Sequence, residues 1–142
     1  MDEVTRFLSE SQTFEKIKRA RGGIILPLHE DEAKALSLWA KQRSANLRFR
    51  RKFFEKVAKD LGADASFTDF ENEEDEMRHQ QNVMAAGAFI KFLDNVDGRS
   101  RDYSPELAAG FTEYIQWMGE QSEALFRAQQ QLDLAQRGKS NG

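Results

Sequence analysis

Apolar residues recur along most of this chain at three- and four-residue intervals, and the interruptions fall on glycine, proline and serine. That period gathers apolar side chains on one face of an α-helix, and it predicts four helices. The first runs from about Asp2 to Arg21, with Val4, Phe7, Leu8, Phe14 and Ile17 as a ragged apolar face. Ser9 and Ser11 are its weak points, and Gly22-Gly23 end it. Ile24-Ile25-Leu26-Pro27-Leu28 is too short for a helix and reads as an extended connector pressed on the bundle, with an edge strand as the alternative. The second helix opens on Glu30-Asp31-Glu32, acids suited to the positive end of a helix dipole, and stops at Leu61 before Gly62. The third begins at a capping box, Thr68-Asp69-Phe70-Glu71, and ends near Gly98. The fourth begins at Ser104-Pro105-Glu106, a capping serine followed by a proline whose missing N–H costs nothing there. It continues to about Gln136, which leaves residues 137–142 as a frayed, disordered tail.

Three of these helices have about 30 residues and so span roughly 45 Å each. Short connections make successive helices antiparallel. The expected fold is all-α: an elongated antiparallel bundle of three long helices plus a shorter N-terminal one, forming a single domain over residues 1–136. Folding about Gly98-Arg99-Ser100-Arg101 sets Phe89 and Phe92 opposite Ala108-Ala109-Gly110. It also sets Tyr114 and Trp117 opposite Ala85-Ala86-Gly87-Ala88, large against small on both sides.

Composition narrows the class. The chain has 142 residues, enough for one core, and its eleven Phe exclude a disordered chain. It has no cysteine, hence no disulfide and no thiolate chemistry. No apolar run approaches the roughly 20 residues that cross a bilayer. Met1-Asp2-Glu3 is acidic where a signal peptide is basic, and the expected setting is the cytoplasm.

Charge changes the picture more. Residues 1–61 carry 14 Lys/Arg against 9 Asp/Glu, whereas residues 62–142 carry 7 against 15. Between Lys41 and Lys59 the second helix holds eight bases and one acid, Glu55; between Asp64 and Glu76 there are seven acids and no base. Lys41, Arg43, Arg48, Arg50, Arg51 and Lys52 are interleaved with Trp39, Phe49 and Phe53. Cations with nearby rings suit a nucleic acid, because cations neutralise phosphates and rings stack on bases. Lys16, Lys18, Arg19 and Arg21 at the end of the first helix extend the candidate patch. The competing reading folds the second and third helices together, so that Arg51 to Lys59 meet Asp69 to Glu76 as an ion-pair ladder. Lys41, Arg43, Arg48 and Arg50 find no acid opposite them in that arrangement except Glu76 at one end.

Glu76-Met77-Arg78-His79 has the Glu-x-x-His spacing of ferritin-like di-iron bundles. A second such element and a mid-helix carboxylate on the second helix are both missing, so a structural pair hydrogen-bonded to Arg50 or solvent is the favoured reading, with no metal and no cofactor. His29, at a helix start, reads as a cap. The sequence holds no Gly-rich phosphate loop and no recognisable Ser/His/Asp grouping, which points away from an enzyme.

The fourth helix carries a long stripe: Leu107, Phe111, Tyr114, Met118, Leu125, Ala128 and Leu132. A narrow hairpin leaves part of it uncovered, and Leu125, Phe126, Leu132 and Leu134 are the expected protein interface or oligomer contact. In size and helical build alone the chain resembles the small helical accessory subunits of nucleoprotein machines, such as CRISPR effector small subunits, and phage accessory proteins. No motif carries that likeness, so no residue role follows from it. The leading expectation is a non-enzymatic accessory subunit whose first two helices face nucleic acid and whose fourth contacts protein. The alternatives are a protein–protein adaptor or assembly factor, phage or mobile-element encoded, and a ferritin-like metal-binding bundle.

Overall fold

A computed structural model of the chain describes residues 2–63, 70–100 and 102–140, with residues 139 and 140 described by their backbone alone. The protein is mostly helical, with three long helices packed together. None of the described helices is long and apolar enough to cross a membrane.

The expected first helix is two helices. α1 (Glu3–Glu10) is capped by Asp2, whose side chain accepts the Thr5 N–H at 2.7 Å. It ends where the Ser11 hydroxyl donates to the Phe7 carbonyl at 2.6 Å, a side-chain bond that competes with helix continuation. Gln12 then sits in the left-handed region at φ 59°, and α2 (Thr13–Arg21) starts in a new direction. The break lets one short segment serve two neighbours: α1 packs on α3 and α2 packs mainly on α5.

The connector after Gly23 is only partly pressed on the bundle. Ile24 and Ile25 are exposed; Leu28 is buried. β1 (Leu28–His29) pairs antiparallel with β2 (Arg99–Ser100), Leu28 facing Ser100. The Tyr103 hydroxyl ties the connector down by donating to the Leu26 carbonyl at 2.9 Å.

α3 (Glu30–Asp60) follows with 31 residues uninterrupted by glycine or proline. His29 is its N-cap residue, and its backbone N–H is accepted by the Glu32 carboxylate at 3.3 Å. α4 (Glu73–Asp94) starts later than the sequence suggested. Its cap is Asn72, which accepts the Asp75 N–H at 2.9 Å, while Thr68 and Asp69 of the expected capping box lie outside the described residues. α5 begins as expected after Ser104 and runs Pro105–Ser140, four residues beyond the expected end.

α4 and α5 pack antiparallel, in a register about one turn away from the expected one. Gly110 lies against Ala85 so closely that a Cβ at position 110 would collide with that of Ala85. Trp117 therefore stands over His79, with ring centroids 4.1 Å apart, and not over the small residues 85–88. α3 runs parallel to α5, and the Tyr114 hydroxyl donates to Ser44 Oγ at 3.0 Å.

Two apolar clusters result. The larger gathers Leu8, Ile17, Leu28, Leu36, Phe89 and Phe111 from both N-terminal helices, β1 and all three long helices. The smaller holds Leu47, Phe54 and Ala58 of α3 against Met118 and Leu125 of α5, and no residue of α1 or α2 belongs to it.

Candidate nucleic-acid interface

α3 shows one face to the clusters and the other to solvent. Leu36, Ala40, Leu47, Phe54 and Ala58 point inward. Phe49 and Phe53, one turn apart, point outward and are 72% and 58% exposed. On a helix, Arg48, Lys52 and Lys56 flank those rings on one side and Arg50 flanks them on the other.

The basic residues singled out from the sequence have different fates. Lys41 pairs with Asp94 of α4 at 2.8 Å, which corrects the expectation that no acid lies opposite it. Asp94 also accepts the Ser37 hydroxyl at 2.5 Å. These two hydrogen bonds, the one from Lys41 first, hold its carboxyl below the ordinary aspartate range. Arg43 stacks over the Trp39 ring, 5.3 Å from its centroid. Arg51 reaches Glu55 within its own helix at 3.7 Å. Lys16 is structural: it meets the buried Glu32 at 2.8 Å, and Thr13 donates to the same carboxylate at 2.7 Å. Burial pushes the Glu32 carboxyl up, but Lys16, Thr13 and the His29 amide outweigh it and leave its pKa below the usual value.

The N-terminal extension of the patch is not built as expected. α2 is docked on α5, where Arg21 pairs with Glu113, and Lys18 reaches Glu15 at 3.8 Å. Arg19 is exposed. Among the described residues, Arg48, Arg50, Lys52, Lys56 and Lys59 make no ion pair, and none joins Lys52, Lys56 or Lys59 to the described part of the acidic run. The second half of α3 packs its inner face on α5, and this leaves those lysines facing outward.

An open groove continues the basic face between α3 and α5. Its upper part is lined by Trp39, Arg43, Asn46, Phe49 and Arg50 with Asp2 at the rim. Its lower part is lined by Arg50, Ser122, Glu123, Phe126 and Arg127. Ser122, Phe126 and Arg127 were not legible as partners of Arg50, because they lie more than 70 positions away and only the parallel packing of α3 and α5 brings them close.

The expected protein interface on α5 divides. Leu125 is 1% exposed and belongs to the core with Phe54 and Ala58, while Leu132 is half-buried against the same cluster. Phe126 and Leu134 are 55% and 64% exposed. A second outward apolar face lies on α4, where Met77 and Met84 are exposed. Their seven-residue spacing was the available signal.

Glu76 is exposed and His79 is half-buried. The imidazole lies in a cluster of rings, tilted against Trp117 at 4.1 Å and Phe70 at 4.9 Å, which also face each other at 6.3 Å. Arg50 lies in the other groove, so the anticipated bond to it is not formed. Among the described residues, no three His, Asp or Glu side chains come together as a metal site.

Compared with known proteins, the chain matches no protein family, and no curated sequence or solved structure aligns with it significantly.

Proposed function

We propose that this protein is a non-enzymatic helical subunit of a nucleoprotein complex. It binds nucleic acid through the outer face of α3 and the adjoining α3–α5 groove, and the exposed Leu134 near the end of α5 contacts protein. One observation carries the reading: among the described residues Arg48, Lys52 and Lys56 have no ion-pair partner, and they stand beside two rings that lie mostly in solvent. A face built only for solvation does not need exposed phenylalanines, and a face built only to dock protein does not need a bank of unneutralised cations. Lys41, Arg43 and Arg51 are engaged within the bundle and contribute field rather than free contacts.

The test is a salt titration of binding to labelled oligonucleotides. Affinity should fall steeply as salt rises, because each neutralised phosphate releases counterions. Combined Arg48→Glu, Lys52→Glu and Lys56→Glu should abolish binding and leave the helical circular dichroism signal unchanged. Absence of binding at low salt would overturn the reading. The adaptor alternative is favoured by a different feature, the uncovered Met77 and Met84 on α4, and it expects a protein partner there with no effect of the α3 charges.

A further inference from the structure

We infer that the nucleic acid taken by α3 is single-stranded, with phosphates on Arg48, Lys52 and Lys56 and base faces against Phe49 and Phe53; this rests on the nucleic-acid reading above. The argument starts from what a phenylalanine can offer. Its ring makes no hydrogen bond and gains nothing beside a phosphate, so an exposed ring among cations is useful only if the ligand presents apolar surface next to its charge. A duplex presents its charged backbone and grooves and keeps its base faces inside the stack. A single strand presents both, and rings stack on any of its bases.

Spacing strengthens the case. Phe49 and Phe53 are separated by about 6 Å along the axis at about 1.5 Å per residue. Successive bases in a stacked strand rise only about 3.4 Å. Engaging both rings therefore requires bases drawn apart from one another, which an unpaired strand permits at little cost. The groove supplies a continuation, since Arg50, Arg127 and the exposed Phe126 line its lower part, with Ser122 and one acid, Glu123. Charge also argues against a second copy of this chain on the same face. A symmetric contact would bring Arg48, Lys52 and Lys56 against themselves, and like charges opposed in an interface repel.

The experiment measures full-length protein by fluorescence anisotropy with an oligo-dT strand, an oligo-U strand and a blunt DNA duplex of equal length. Both single strands should bind at least tenfold more tightly than the duplex. Phe49→Ala with Phe53→Ala should weaken single-strand binding by roughly tenfold or more, the range expected for losing base stacking. The salt slope should stay unchanged, because no phosphate contact is removed, and duplex binding should not move. Phe53→Trp should keep the affinity, and its fluorescence should be quenched when the strand is added. Duplex binding as tight as single-strand binding, or a change under twofold in the double alanine variant, would overturn the inference and leave the nucleic-acid reading standing. If none of the three ligands binds, the reading itself fails and the inference falls with it.

Discussion

The two ends of the bundle use the same residue types for opposite purposes. At one end, α1, α2 and β1 close over the long helices, and Leu36, Phe89 and Phe111 disappear from solvent. Even charge is buried there with its partners in place: Glu32 receives Lys16, Thr13 and the His29 amide. At the other end, among the described residues, the cluster around Phe54 and Leu125 is built from α3, Ala63 and α5. The neighbouring rings, Phe49, Phe53 and Phe126, stay in water. The cover of α1 and α2 makes one end a core; among the described residues neither reaches the smaller cluster, and aromatic and cationic groups on α3 stay available there. An aromatic residue's role here follows from how many elements cover it.

Aromatic truncation gives the largest test of that contrast. Phe111→Ala should cost about 3–5 kcal/mol, because it leaves a cavity in the layered end. Phe53→Ala should change stability by no more than about 0.5 kcal/mol, as for other surface positions. Denaturant unfolding of the two variants measures both values, and equal losses would erase the distinction between the ends.

Leucines on α5 sharpen the comparison within one helix. Leu125→Ala should cost about 2–5 kcal/mol, towards the lower figure because the thin end can relax around the gap. Leu134→Ala, nine residues later and exposed, should leave the unfolding midpoint nearly unchanged. A neutral Leu125→Ala would show that the smaller cluster is not a true core.

The smallest effect is expected from pH. Because the folded-state pKa of Glu32 lies below its ordinary value of 4.5, the stability it contributes is fully present above that value. It is lost as pH falls through the folded value. Thermal unfolding followed from neutral pH down to about pH 3 should show this loss, and Glu32→Gln should make the curve flatter in the same range. At neutral pH the substitution should cost about 1–3 kcal/mol, since Lys16 and Thr13 lose their charged acceptor. An unaltered pH profile would mean that the closed end does not depend on this buried carboxylate.

Much of the architecture was readable because it is written locally. Gly23, Gly62 and Gly98 adopt left-handed φ angles of 92°, 71° and 76° where helices or the preceding turn end, a conformation that glycine accepts most readily. Ser104 accepts the Leu107 N–H at 3.4 Å, as its position before a proline and an acid implied. The start of α4 was harder to place, because Asn72 competes with the earlier Thr68 as a cap and each has suitable acids after it. The candidate site was legible in part. Phe49 and Phe53 beside Arg48 and Lys52 stand on one helix and can be read from spacing alone, but the groove with Phe126 and Arg127 cannot.

The sequence by itself determined the three long helices, most of their limits and the division of charge, because period, caps and composition act over a few residues. It missed the break at Gln12 and the start of α4. Tertiary structure decided which charges are spent. Lys41 finds Asp94 and Arg21 finds Glu113 across distances of dozens of residues, while Arg48, Lys52 and Lys56 find none among the described residues. It also decided that Leu125 is core and that Phe126, the next residue, is surface. The reason is geometric: adjacent helical residues point about 100° apart, and only the position of α3 beside α5 settles which of the two directions is covered.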